Sequence, residues 1–147
     1  MYMRAVIQRV TEGSVTVEGE VIGKIGHGLL VLLAIHVDDT DDMIEKMAGK
    51  IARLRVFEDE EGKMSRSVQD TNGAVLVISQ FTLYGDVRKG NRPGFTDSAR
   101  PEKAEPMYES VVKAIELSGL RVQTGRFASD MKVALVNDGP VTIIIDL

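Results

Sequence analysis

Apolar and polar positions alternate at the start of the chain. In "RAVIQRV", which begins at Arg4, Ala5, Ile7 and Arg9 fall on one face and Val6, Gln8 and Val10 on the other, the period-two pattern of a strand. "SVTVEGEVIGKI", from Ser14, reads as two alternating runs joined through Glu18-Gly19-Glu20, a hairpin. "GLLVLLAIHV", from Gly28, is almost wholly apolar, which predicts a strand buried on both faces. "GKIGHG", just before it, reads as another hairpin turn, because its glycines match neither a P-loop nor a dinucleotide fingerprint.

The period then changes. Met43, Met47, Ile51 and Leu54 recur at helical spacing, beside Ile44 and Ala48. Asp42 and Glu45 have the spacing of a capping box at the start of this helix. The acidic run Asp38, Asp39, Asp41 and Asp42 suits a helix N-terminus, where negative charge meets the macrodipole. "FEDEEGKMSRSV" predicts a surface turn at Glu61-Gly62 between short strands, and "AVLVIS" a buried strand. Residues 99–118 predict a second helix, with Pro101 in its first turn and Gly119 at its stop. Its stripe is Met107, Tyr108, Val111, Val112 and Ile115, and Pro106 predicts a kink or a later start. "KVALVN" and "VTIIIDL" read as two last strands joined by a turn at Asp138-Gly139-Pro140. The expectation is α+β: a single domain over residues 1–147, mostly antiparallel strands with two main helices covering the sheet.

Composition sharpens this little. The 147 residues are 44% hydrophobic and 27% charged, as in an ordinary globular protein. Neither a spanning segment nor a secretion signal is legible, and a cytoplasmic location fits. The absence of cysteine excludes disulfides, thiolate nucleophiles and Cys-based metal sites. A net charge of −4 argues against a broad footprint on duplex nucleic acid, though not against capture of one nucleic-acid end. One basic loop stands out, with Arg88, Lys89, Arg92 and Arg100. A loop of this length in a compact domain tends to carry function.

Candidate chemistry concentrates in two segments. "SQFTLYGD", from Ser79, ends a buried strand and offers the hydroxyls of Ser79 and Thr82. A hydroxyl nucleophile needs a base. The two histidines, His27 and His36, have no partners at H-x-x-x-H or H-E-x-x-H spacing and read as structural. No G-x-S-x-G elbow is present. "NDGPVT", from Asn137, is rich in turn residues. Its Gly139 allows close backbone approach to a ligand, and the bond to Pro140 is of the kind that adopts cis.

"SQFTL" and "NDGPVT" together resemble the two signature motifs of the D-aminoacyl-tRNA deacylases. "MRAVIQRV", "GLLVLLAIHVDDT", "VRKGNRPGFTDSARP" and "GRFASDMKV" follow that family in order and spacing over essentially the full chain. Met1-Tyr2 precede the usual start, and Ala128-Ser129 stand where Gly-Ala is common. The resemblance implies a barrel-like core and a hydrolase of carboxylic esters that removes D-amino acids, and glycine, from tRNA. It implies no cofactor and no metal. The partners would be the aminoacyl-tRNA 3′ end and a second copy of the chain, with no membrane and no other protein. The catalytic segment would be Ser79, Gln80, Phe81 and Thr82. Substrate would meet Gly139, Pro140 and Asn137 of the other subunit, with the Gly-Pro bond cis and Arg9 propping it. Arg88, Lys89 and Arg92 would meet tRNA phosphates. Thr82 would act as nucleophile or, the view favoured here, as a positioning group while the terminal ribose 2′-OH helps to activate water. Two other readings compete: a threonine-dependent esterase of small esters, and a noncatalytic chiral-binding domain like the editing-like domain of some archaeal threonyl-tRNA synthetases.

Overall fold

Strand β1 (Arg4–Val17) is the spine of a six-stranded sheet in the computed structural model, which describes residues 2–147. The chain turns at Glu18 and Gly19, whose φ angles of 51° and 79° fit a type I′ hairpin. It then runs back along β1 as β2 (Glu20–Ile25) and β3 (Gly28–Ala34). The expected turn at "GKIGHG" does not form: the pairing Gly13↔Ile25 continues as Val10↔Gly28 along the same edge of β1. The glycines there serve close approach. A Cβ on Gly23 would stand 2.5 Å from the Thr124 carbonyl oxygen, where the sheet curls β2 against its far strand. This curl gives the barrel-like shape.

Helix α1 (Asp42–Arg53) follows, then the short pair β4 (Phe57–Glu58) and β5 (Met64–Arg66), then β6 (Ala74–Ser79). The capping box is not made, since N-cap Asp41 forms no side-chain cap and the Asp42 carboxylate accepts from the Thr40 hydroxyl instead. Helix α2 (Pro101–Leu117) has Pro101 in its first turn and continues through Pro106. Strand β7 (Arg121–Thr124), absent from the sequence reading, lies beside β6. Antiparallel pairing dominates, but β3–β6 and β6–β7 are parallel. The last element is one strand, β8 (Lys132–Asp146), along the other edge of β1, not the two strands that the turn residues suggest.

The central strands β3 and β6 are buried on both faces. Ala5, Ile7, Leu29, Val31, Leu33, Val75 and Val77 pack under the helices with Met47, Ile51, Val111 and Ile115. Val10, Val15, Leu30, Leu76 and Ile78 fill the inside of the curl. The pairing of β1 with β8 shifts between Val10 and Glu12, and such a bulge moves later odd positions to the opposite face. That is why Ile7 and Val15 belong to different cores. Among the described residues no helix is long and apolar enough to cross a membrane.

Candidate functional site

Strand β6 stops at Ser79, and the chain folds at once into a single 3-10 turn, Phe81–Tyr84. Its start is anchored where the Gln80 N–H donates to the Leu33 carbonyl at 2.8 Å. Within it Leu83 N–H reaches the Gln80 carbonyl (3.2 Å), and Gly85 N–H the Thr82 carbonyl (2.9 Å). As at any helical start, the first N–H groups have no partner within the turn. Those of Phe81 and Thr82 meet no backbone carbonyl among the described residues. The Thr82 hydroxyl accepts from the Gln80 side-chain amide. No acid or base side chain hydrogen-bonds it among the described residues. Phe81 is 52% exposed and stacks edge-on against Phe95, with ring centroids 5.2 Å apart.

Beneath the turn lies a polar cluster. Tyr84 is buried, its hydroxyl 2.6 Å from the Tyr2 carbonyl and 3.1 Å from that of Ala34. Burial pushes its pKa above the usual 10.0. His36 packs edge-on against both Tyr2 and Tyr84, and its Nδ1 accepts from the Asp38 N–H. Asp39 turns inward from the acidic run, and its Oδ2 accepts from the His36 N–H at 2.8 Å. Burial pushes its carboxyl above the ordinary range. His27 is hydrogen-bonded to Thr71 and packed on Phe57. The described residues hold no cluster of three or more His, Cys, Asp or Glu suited to a metal.

The second segment is an excursion in β8. Asn137 pairs with Val10 and Thr142 with Gln8, so Asp138, Gly139, Pro140 and Val141 stand opposite the single residue Arg9. Gly139 has φ +133°, a conformation that residues with a Cβ rarely adopt, and the Gly139-Pro140 bond is cis. Asn137, Gly139 and Pro140 are exposed. Arg9 supports them from behind. It is 6% exposed, and its Nε donates to the Asp138 carbonyl (2.9 Å) while Nη1 donates to that of Val56 (2.8 Å). The carboxylates of Glu58 and Asp138, each 3.6 Å away, balance its charge.

One chain does not bring the two segments together. Ser79 is level with Leu33 and Ala5, whereas Arg9 is level with Leu29. The four-residue offset along β3 is about 13 Å, and the three strand spacings from β8 to β6 add about 14 Å sideways. The basic loop lies beyond the 3-10 turn, pinched by paired hydrogen bonds between Asp86 and Gly94 (2.8 and 2.9 Å). Arg88 is not free: Asp86 takes its Nε and Nη2 at 2.9 and 2.8 Å. That contact lowers the Asp86 pKa to about 2. Lys89 and Arg92 have no ion-pair partner among the described residues. Asp86 and Phe95 escaped the sequence reading, although the i,i+2 spacing of Asp86 and Arg88 hinted at the first.

A family model described as D-Tyr-tRNA(Tyr) deacylase matches residues 6–146. The chain belongs to this deacylase family. It is 59% identical over 146 residues to a D-aminoacyl-tRNA deacylase of Symbiobacterium thermophilum, covering 99% of this chain and 97% of that one. It is 54% identical over 144 residues to one of Thermotoga petrophila, covering 98% and 97%. Among solved structures it is similar to the "c-Myc DNA Unwinding Element Binding Protein", with TM-score 0.91, 46% identity and 98% of each chain covered. A second similarity, at 18% identity and TM-score 0.87 over the whole of both chains, is to the "Structural Analysis of a probable eukaryotic D-amino acid tRNA deacylase" and concerns the fold alone. The deacylase family thus spans both segments described above.

Proposed function

We infer that this protein hydrolyses the ester bond of D-aminoacyl-tRNA, releasing the free D-amino acid and a tRNA 3′-hydroxyl. The observation that carries this reading is the near-full-length identity of 54–59% to chains named D-aminoacyl-tRNA deacylase. In this reaction water adds to the ester carbonyl and the bond to the ribose oxygen breaks. The N–H groups of Phe81 and Thr82 are suited to the developing oxyanion, because they are donors without an internal partner. Thr82 positions water or substrate. The Gln80 amide beside its hydroxyl supports that role, since an amide N–H cannot take a proton from it. The terminal ribose 2′-OH then helps to activate water.

The active form is a homodimer, and each pocket joins the 3-10 turn of one chain to the Gly139-Pro140 excursion of the other. The separation of the segments within one chain supports this. So does β8. It is largely exposed, carries the exposed apolar Val133, Val136 and Ile144, and has only β1 as a strand partner among the described residues. Main-chain carbonyls around Gly139 and Pro140 would accept the substrate ammonium and crowd out an L side chain, while a D side chain points away. Glycine, with nothing to exclude, would be accepted. A clash worth about 1.4 kcal/mol already gives tenfold discrimination. Lys89 and Arg92 are the readier phosphate contacts, and Arg88 becomes one by exchanging Asp86 for a phosphate. The protein works in the cytoplasm, where its substrate is made. Single-turnover deacylation of matched D-, L- and glycyl-tRNA tests the reading: D and glycyl esters should be cleaved and L esters spared. Equal cleavage of all three, or cleavage of small amino-acid esters at similar rates, would point to a general esterase.

A further inference from the structure

Two ends of the chain meet beside the 3-10 turn. Arg4 opens β1 and Asp146 closes β8. Arg4 Nε donates to Asp146 Oδ1 at 2.7 Å, and its Nη1 donates to the Leu83 carbonyl at 3.1 Å. The Arg4 guanidinium carbon also stands 5.6 Å from the centroid of the Tyr84 ring. This pair differs from the other ion pairs of the surface. Its side chains are 25% and 26% exposed, against 68% and 64% for Lys46–Asp42 and 84% and 76% for Arg100–Glu102. Exposed pairs contribute little, whereas a partly buried, charge-assisted fork fixes geometry.

The anchors of the turn show what that geometry governs. Its start hangs on the Leu33 carbonyl through Gln80, and its end is held by the Tyr84 hydroxyl. Between them, the Leu83 carbonyl is held from outside the turn by Arg4. The Leu83–Tyr84 peptide plane also carries the Tyr84 N–H, which the i→i+3 bonding of a 3-10 turn sets against the Phe81 carbonyl, in the plane that bears the Thr82 N–H, so a shift of the Leu83 carbonyl is passed to that donor. Lysine could keep the charge pair with Asp146 but, as a point donor, could not hold both acceptors in a fixed plane.

We propose that Arg4, oriented by Asp146, is a positioning residue for deacylation that fixes the Thr82 turn through the Leu83 carbonyl. The proposal rests on the deacylase reading. The test uses the full chain as wild type and as Arg4→Met, Arg4→Lys and Asp146→Asn. Three quantities are measured: the single-turnover rate on D-tyrosyl-tRNA, the Kd for a nonhydrolysable 3′-amide analogue of its aminoacyl-adenosine end, and thermal unfolding. Arg4→Met should slow the chemical step roughly 10- to 100-fold at temperatures where it is fully folded, the scale of a misplaced catalytic geometry. Its analogue Kd should move by less than about threefold, the signature of an interaction felt in the transition state. Arg4→Lys should recover only part of the rate, and Asp146→Asn should fall between wild type and Arg4→Met. If Arg4→Met does not fold, the last two decide by the same split of rate from Kd. Variants that cleave at the wild-type rate, or lose rate only in step with Kd or unfolding, overturn the proposal while leaving the deacylase reading intact. A wild type that leaves D-tyrosyl-tRNA uncleaved overturns the deacylase reading, and the proposal with it.

Discussion

The 3-10 turn after β6 and the excursion in β8 are opposite answers to the same problem of ending regular pairing. The turn is tied into its own chain at three points, through Gln80, Leu83 and Tyr84, and offers main-chain N–H groups. The excursion is held chiefly by Arg9 from behind and leaves Gly139 and Pro140 exposed. In the proposed site the first segment is the donor surface and the second the acceptor surface. An aminoacyl ester needs both, a donor for its carbonyl oxygen and an acceptor for its ammonium. A single chain holds them apart, and the proposed homodimer would set the turn of one chain against the excursion of the other.

The comparison breaks most sharply at Gly139. Gly139→Ala would place a Cβ 2.9 Å from the Val141 nitrogen and 3.2 Å from Arg9 Nη2, at φ +133°. Backbone strain of about 1–3 kcal/mol would displace the acceptor surface, and single-turnover assays should show a rate loss of ~100-fold. Arg9→Met comes next. It leaves the Asp138 and Val56 carbonyls without their donor, which should cost about 1–3 kcal/mol in denaturant unfolding, with a rate loss of roughly tenfold. On the donor side, Thr82→Ala should cost less than ~10-fold in rate, while a 2′-deoxy terminal ribose should cost more than ~100-fold, the range of general acid–base assistance. An acyl ester trapped on Thr82 would reverse that ranking. The smallest effects belong to the basic loop. Lys89→Ala and Arg92→Ala should each shallow the log–log salt dependence of tRNA binding by about 0.7. Arg88→Ala should change it less, because Asp86 already neutralises that charge.

Local periodicity made much of the fold legible. The β1–β2 hairpin, the doubly buried β3 and β6, and both helices follow from spacings within a dozen residues. What escaped depends on partners far along the chain. "NDGP" has the composition of a hairpin, yet β1 runs past on both sides of it, so the chain leaves and rejoins one strand. "RVQT" has too few apolar positions to announce β7, which forms because β6 offers a parallel edge. The site divides likewise. The two motifs were recognisable from family resemblance, and the support of the excursion by Arg9 was expected with them. The contact of Arg4 with Asp146 spans 142 positions, and no local pattern announces it.

The central claim, a pocket shared between chains, is tested most directly by complementation. One chain carries Gly139→Ala. The other carries Phe81→Pro, which removes a donor N–H and a ring at a first helical position where proline fits. Each variant alone should be nearly inactive. Mixed dimers, purified with two different tags, join one intact turn to one intact excursion at one of their two pockets. Single-turnover cleavage of D-tyrosyl-tRNA should return to roughly half the wild-type amplitude, as mass balance over two pockets requires. Mixed dimers as inactive as their parents, or a wild-type monomer with full activity, would contradict the shared pocket.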